Sequence, residues 1–199
     1  KIVAAVKRPL IYFGGGIVLG NSSEELIDFV RLTGAPCAGT LLGLGAYPST
    51  DRQFIGMLGM HGHYEANLAM QNADVIVAVG ARFDDRVVSV PSKFLAVPKK
   101  IIHIDIDPSS IAKRIRVDVP IVGDVKNVLT DMICLWKKQE QVFSETALNK
   151  WWETIEAWRS RDCMYFDMDD EVIKPQYVVK TLAELTNNSA IVTSDVGQK

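Results

Sequence analysis

Short apolar runs alternate with amphipathic or capped segments along most of the chain, and that alternation predicts its elements. Leu10-Ile11-Tyr12-Phe13 reads as a strand that runs into Gly14-Gly15-Gly16. Asn21 stands three residues before Glu24, a capping-box-like start; Leu26, Ile27 and Val30 follow at helical spacing, and Gly34 stops the helix. Residues 36–40 predict a second short strand. Residues 41–59 read as loop, with Gly43, Gly45, Gly56 and Gly59 inside it and Gly39 just before it, a composition that suits close backbone approach. A helix from Gly62 or His63 to Asn72 leads into a third strand, residues 74–80, whose unbroken apolar sequence implies burial on both faces. Residues 100–107 make a fourth strand that emerges into acids and Pro108. Residues 119–122 make a fifth, followed by Gly123-Asp124 and a helix from about Val125 to Gln139.

Strands alternating with helices predict an α/β fold, a doubly wound parallel sheet with helices on both faces and right-handed crossovers. In such sheets ligands bind beyond the carboxyl ends of the strands. The glycine run, Arg82, the Asp105/Asp107 pair and Gly123-Asp124 all follow strand ends, so they share one rim. Beyond this domain, set at residues 1–140, Trp151, Trp152 and Trp158 lie among Lys, Gln and Glu, and residues 141–172 read as a helical linker. These three and Trp136 are assigned to packing because they fall outside the rim. From Ile173-Lys174-Pro175-Gln176 a helix to about Leu185 and a strand at residues 190–193 open another domain, 173–199. The chain starts at Lys1 and closes in Ser194-Asp195-Val196-Gly197-Gln198-Lys199, which suggests a piece of a larger subunit.

Composition narrows the classes. A hydrophobic share of 48% and a charged share of 23% over 199 residues allow a full core. A net charge of -2 with scattered cations offers no basic stripe for nucleic acid. No apolar run reaches the length of a membrane span. Cys37, Cys134 and Cys163 form no C-x-x-C pair, which fits reduced thiols in a cytoplasmic setting.

Each candidate site has two readings on residue type alone. The glycine run departs from G-x-G-x-x-G, so it is either a phosphate-binding turn or an ordinary strand-to-helix turn. Asp105 and Asp107 either accept from ribose hydroxyls or cap the next segment. Ala81-Arg82-Phe83-Asp84-Asp85-Arg86 is either a solvated loop or a charged site at a strand end. His61-x-His63 lacks a third ligand at metal spacing, so no metal is expected here.

Three stretches, Leu58-Gly59-Met60-His61-Gly62, Gln71-Asn72-Ala73-Asp74 and Val79-Gly80-Ala81-Arg82-Phe83-Asp84-Asp85-Arg86, resemble the middle domain of acetohydroxyacid (acetolactate) synthase catalytic subunits in order and spacing. Ile102-His103-Ile104-Asp105-Ile106-Asp107-Pro108 and Ile121-Val122-Gly123-Asp124 extend the resemblance, and the 173–176 and 194–198 motifs resemble the start of that family's diphosphate-binding domain. Lys199 departs from the family, which usually has histidine there.

The resemblance implies a Rossmann-like central domain of a thiamine-diphosphate enzyme, with FAD laid across the rim. Its contacts would come from Gly14, Gly15, Gly16, Thr40, Leu41, His61, Gly62, Gly80, Arg82, Asp105, Asp107, Gly123 and Asp124. Met60, Asp85 and Arg86 would face the substrate channel, with Arg86 receiving a carboxylate. The implied reaction condenses pyruvate with a second 2-ketoacid, with loss of CO2, in branched-chain amino-acid biosynthesis. Thiamine diphosphate with Mg2+ serves as electron sink and FAD undergoes no net redox. The activating glutamate and the metal-binding loop would lie in other domains, so this segment alone is expected to be inactive. The intact subunit is expected to be a homo-oligomer with a regulatory small subunit. Two alternatives stand: a module for NAD or another nucleotide, and a vestigial scaffold domain of another thiamine-diphosphate enzyme.

Overall fold

A computed structural model describes residues 6–138, 143–168 and 171–193. The chain divides into two compact units, Lys1–Cys163 and Met164–Lys199.

The first unit is built on six strands: β1 (Pro9–Phe13), β2 (Cys37–Gly39), β3 (Phe54–Met57), β4 (Val75–Val79), β5 (Lys100–Asp105) and β6 (Val119–Val122). Their spatial order is β3-β2-β1-β4-β5-β6 and every pairing is parallel. This is the doubly wound arrangement, and its strand order reverses between β1 and β4. Register there is continuous, from Pro9 opposite Val75 to Phe13 opposite Val79, so both strands end at the same height.

Side-chain alternation divides the core into two layers. Leu10 and Tyr12 of β1 join Ile76, Ala78 and Ile101 on one face. That face is covered by α3 (Tyr64–Asn72) and α6 (Glu145–Arg159). Ile11 and Phe13 join Val79 and Ile104 on the other. There they meet α1 (Gly15–Leu19), α2 (Ser23–Thr33) and α5 (Val125–Lys138). A short α4 (Pro91–Phe94) completes the helices of this unit. α2 stops where the sequence predicts, at Gly34 in a left-handed conformation with φ 68°.

Four local expectations are corrected. Residues 41–59 are not all loop, because β3 lies within them. Its Gly56 has φ 102° and the β2–β3 register shifts, so a four-residue edge strand with a kink left little alternation to read. Asn21 does not open a capping box: it closes the preceding turn at φ 47°, and the N-cap is Ser22. The Ser22 hydroxyl, fully buried, donates to the Ile17 carbonyl rather than accepting from the helix. The fourth strand stops at Asp105 rather than at residue 107, because Asp107 opens a side-chain-closed turn described below. In the second unit α7 (Pro175–Thr186) forms, but residues 190–193 take no strand conformation. A strand needs a neighbour for its amides and carbonyls, and the described part of this unit offers none.

The tryptophan-rich stretch forms α6, and two of its tryptophans enter the core. Trp151 and Trp152 are buried, and their indole N–H groups donate to the carbonyls of Pro9 and Gly34, each at 3.0 Å. The Arg52 guanidinium lies over the Trp152 ring, 4.8 Å from its centroid. The predicted end of α5 at Gln139 and the motif at residues 194–199 lie outside the described residues.

Candidate functional site

Because β1 and β4 end side by side while the chain leaves them toward opposite edges of the sheet, a crevice opens at their carboxyl ends. It forms a cleft of about 910 Å³. Gly14 to Gly16 after β1, Thr40 and Leu41 after β2, Met60 and His61 after β3, Gly80 and Arg82 after β4, Asp105 at the end of β5 and Asp124 after β6 all border it. Arg86 borders it too. Of the residues singled out from sequence, Gly62, Asp85, Asp107 and Gly123 do not line it.

The floor is backbone packed on backbone. Gly14 N–H donates to Val79 O and Gly16 N–H donates to Gly80 O, at 3.2 and 2.9 Å. A Cβ on Gly14 would stand 2.6 Å from Gly80 O, closer than real contacts allow. Glycines are thus required here by the joint between two strand ends, whatever binds above. The Gly15 amide, at the start of α1, has no partner among the described residues.

One wall is the loop after β4. Phe83 is buried between Tyr12 and His103, with centroids 5.4 and 5.3 Å away. The Tyr12 hydroxyl donates to Arg82 O at 2.8 Å, and His103 Nε2 lies 2.9 Å from Ala81 O. Since a carbonyl only accepts, Nε2 carries the proton. Nδ1 is buried with no partner among the described residues. Burial lowers the His103 pKa from its ordinary value, opposed by the Ala81 hydrogen bond and by Asp105. Burial, aided by Asp84, raises that of the Tyr12 phenol far beyond neutral pH, so both rings are neutral donors.

Farther along this wall, Asp84 accepts from the amides of Arg86 and Val87 at 3.1 and 3.2 Å and folds the chain into a turn. Neither the Arg82 nor the Arg86 side chain forms an ion pair among the described residues. Both guanidiniums are solvent-exposed beside the cleft. Next to it, the loop after β3 is held by Asn67, whose amide group bonds both N and O of Gly59 at 3.0 and 2.9 Å. His63 Nδ1 accepts from Met57 N–H, and a Cβ on Gly62 would collide with the Met57 carbonyl. Gly62 and His63 therefore shape this loop. Among the described residues no group of three His, Cys, Asp or Glu side chains converges as a metal site. No helix among them is long and apolar enough to cross a membrane.

The acids differ. Asp105 accepts from Asp107 N–H with one oxygen, and Asp124 accepts from Asn127 N–H at the start of α5. Asp107 turns its carboxylate onto its own loop, where Ser109 and Ser110 hydroxyls and the Ser109 amide donate to it. Those bonds lower its pKa, the Ser109 hydroxyl contributing most. Asp107 is a turn residue here.

Leu19, Leu42 and Ile106, none of them singled out from sequence, join Met60 to give the cleft an apolar mouth. Leu19 is 90% exposed, Leu42 74%, Ile106 68% and Met60 67%. For Leu42 and Ile106, apolar side chains soon after strand ends, where a solvated loop would carry polar ones, were the available signal.

Residues 1–132 match the family described as thiamine pyrophosphate enzyme, central domain. The whole chain is 47% identical over 198 residues to the acetolactate synthase large subunit of Haemophilus influenzae, and covers 34% of that protein. It is 46% identical over 198 residues to the acetolactate synthase isozyme 3 large subunit of Escherichia coli, again covering 34% of it. The acetolactate synthase of Mycobacterium leprae is 39% identical over all 199 residues, which cover 32% of its length. The chain thus spans about a third of the length of these relatives. A six-stranded parallel sheet with its crevice at the β1/β4 reversal, together with the match over residues 1–132, leads to one assignment: the chain belongs to the family of thiamine pyrophosphate enzyme central domains.

Proposed function

We propose that this chain is the central domain of an acetolactate synthase catalytic subunit and that its rim cleft takes FAD. The observation that carries the reading is the end-to-end similarity, 46–47% identical over 198 residues, to acetolactate synthase large subunits. On this reading residues 1–140 are the FAD-binding domain, 141–172 a helical linker, and 173–199 the start of the thiamine-diphosphate-binding domain.

The cleft has the chemistry such a group needs. Its volume of about 910 Å³ lies at the upper end of ligand sites, which span roughly 300–1,000 Å³. Leu42 and Ile106 offer apolar surface to flat rings. Arg82 supplies a cation and Gly15 a backbone amide to the same cleft, a pair suited to a diphosphate. Asp105 and Asp124 keep carboxylate oxygens for hydroxyls or an exocyclic amine. Asp107, Gly62 and Gly123 support these neighbours rather than touch the group. Thiamine diphosphate with Mg2+, held by the remaining domains, would supply the electron sink for joining pyruvate to a second 2-ketoacid. This domain's part is to bind and orient, with Met60 as an apolar wall and Arg86 as a carboxylate receptor. We also propose a cytoplasmic homo-oligomer with a regulatory small subunit.

A scaffold without nucleotide is the second reading, favoured by the Gly14, Gly16 and Gly80 contacts, which explain those glycines by packing alone. The deciding experiment is an absorption spectrum and acetolactate assay of the full subunit with thiamine diphosphate, Mg2+ and FAD. A bound flavin band and acetolactate formation are expected. Acetolactate formation with no flavin retained would favour the scaffold.

A further inference from the structure

We propose that Tyr12 and His103 form a two-point clamp on the backbone of residues 81 and 82, and that this clamp positions Arg82 and Arg86 at the cleft. The clamp stands on geometry alone. Its link to a bound group rests on the FAD reading above.

The loop after β4 leaves the sheet at Gly80 in a left-handed conformation, φ 54°, so no strand ladder directs it further. Three tertiary contacts take over. The Tyr12 hydroxyl reaches up from β1 to Arg82 O, and His103 reaches across from β5 to Ala81 O. Phe83 fills the space between those two rings and also meets Phe94, with centroids 6.3 Å apart. Two consecutive carbonyls are thus tied to two different strands, with the next side chain locked in the core. The backbone at 81–83 has little freedom, and the exposed guanidinium of Arg82 departs from a fixed base. Asp84 then folds the following residues into the turn that carries Arg86.

Both donors are chosen for permanence. Each ring is buried and neutral, which shields both donors from water. His103 can serve only through Nε2, because Nδ1 points away without a partner. That asymmetry separates a clamp from bulk packing. Glutamine can place an N–H near the Nε2 position, whereas asparagine places one near Nδ1. Tyr12 and His103 are therefore positioning residues for the cleft, acting through main chain.

The test uses the full subunit with Tyr12→Phe, His103→Gln and His103→Asn. Amide hydrogen exchange, read without added flavin, is compared over peptides covering residues 80–88 and over α3 and β5. FAD affinity is then read by flavin fluorescence. Tyr12→Phe and His103→Asn are expected to speed exchange at 80–88 by about fivefold, the size of one lost hydrogen bond, with α3 and β5 unchanged. They should weaken FAD by a similar factor, while His103→Gln stays near the parent protein in both readings. Unchanged exchange at 80–88 in Tyr12→Phe and His103→Asn, or equal acceleration in Gln and Asn variants, overturns the clamp. Faster exchange at 80–88 with unaltered FAD affinity overturns the link to the cleft. If the parent subunit retains no flavin, the FAD reading fails and that link with it, while exchange still decides the clamp.

Discussion

Gly16 and Gly80 meet backbone to backbone: a Cβ on Gly16 would stand 2.6 Å from the Gly80 Cα. This joint ties the start of α1 to the end of β4 at the reversal point of the sheet. Gly16→Ala is expected to force the two strand ends apart at a cost of about 1–3 kcal/mol, as overpacking does. Thermal unfolding of the full subunit measures it. Gly45→Ala makes a useful contrast, since a Cβ there meets nothing within 4 Å and only its φ of 91° resists substitution.

Asp105 and Asp124 separate binding from folding. Asp124 accepts from Asn127 N–H at the head of α5, so Asp124→Ala should lower stability by ~1 kcal/mol, as a lost helix cap does. Asp105→Ala should change stability less. Both should weaken FAD in the full subunit by on the order of 1 kcal/mol and leave thiamine diphosphate affinity nearly unchanged. Unaltered FAD dissociation constants in both variants would remove these acids from the site.

His103 makes stability depend on pH in a stated direction. Its folded pKa lies below the ordinary value of 6.5, chiefly through burial. Above that value the ring is neutral folded and unfolded, and its Nε2–H bond is fully present. As pH falls below it the unfolded chain takes up a proton that the folded one resists, so stability is lost toward the depressed pKa. One proton contributes at most about 1.4 kcal/mol per pH unit. The melting temperature of the parent subunit should fall more steeply from pH 7 to pH 5 than that of His103→Gln. Parallel slopes would show that the ring does not titrate in this range.

Arg86 has an exposed guanidinium beside the cleft and no ion-pair partner among the described residues. A planar fork can hold a carboxylate bidentately, and lysine offers only a point charge. Arg86→Lys in the full subunit should slow acetolactate formation by about 2 kcal/mol, more than tenfold, while sparing the release of the first CO2. Separate acetolactate and single-turnover CO2 assays read the two steps. Equal losses in both would count against the receptor role.

How much was legible followed the range of the forces involved. Apolar runs at residues 10–13 and 74–80 announce strands, the second buried on both faces, and Gly34 marks a helix end, because these depend on neighbours a few residues away. Strand ends carrying Gly14, Gly80, Asp105 and Asp124 likewise placed a rim, since a parallel sheet sends all its carboxyl ends one way. What depends on distant partners was decided only by the folded chain. β3 exists because β2 lies beside it, despite a kinked glycine that hides its pattern. Asp107 looked equivalent to Asp105 until Ser109 and Ser110 closed a turn on its carboxylate. Trp151 and Trp152 became core because α6 docks on the sheet and finds the carbonyls of Pro9 and Gly34. The Tyr12 and His103 clamp joins residues 70 and 22 positions apart in sequence. Local spacing sets secondary structure and the side of the sheet on which chemistry can sit; which buried donor meets which carbonyl is set by tertiary packing, where no periodicity reaches.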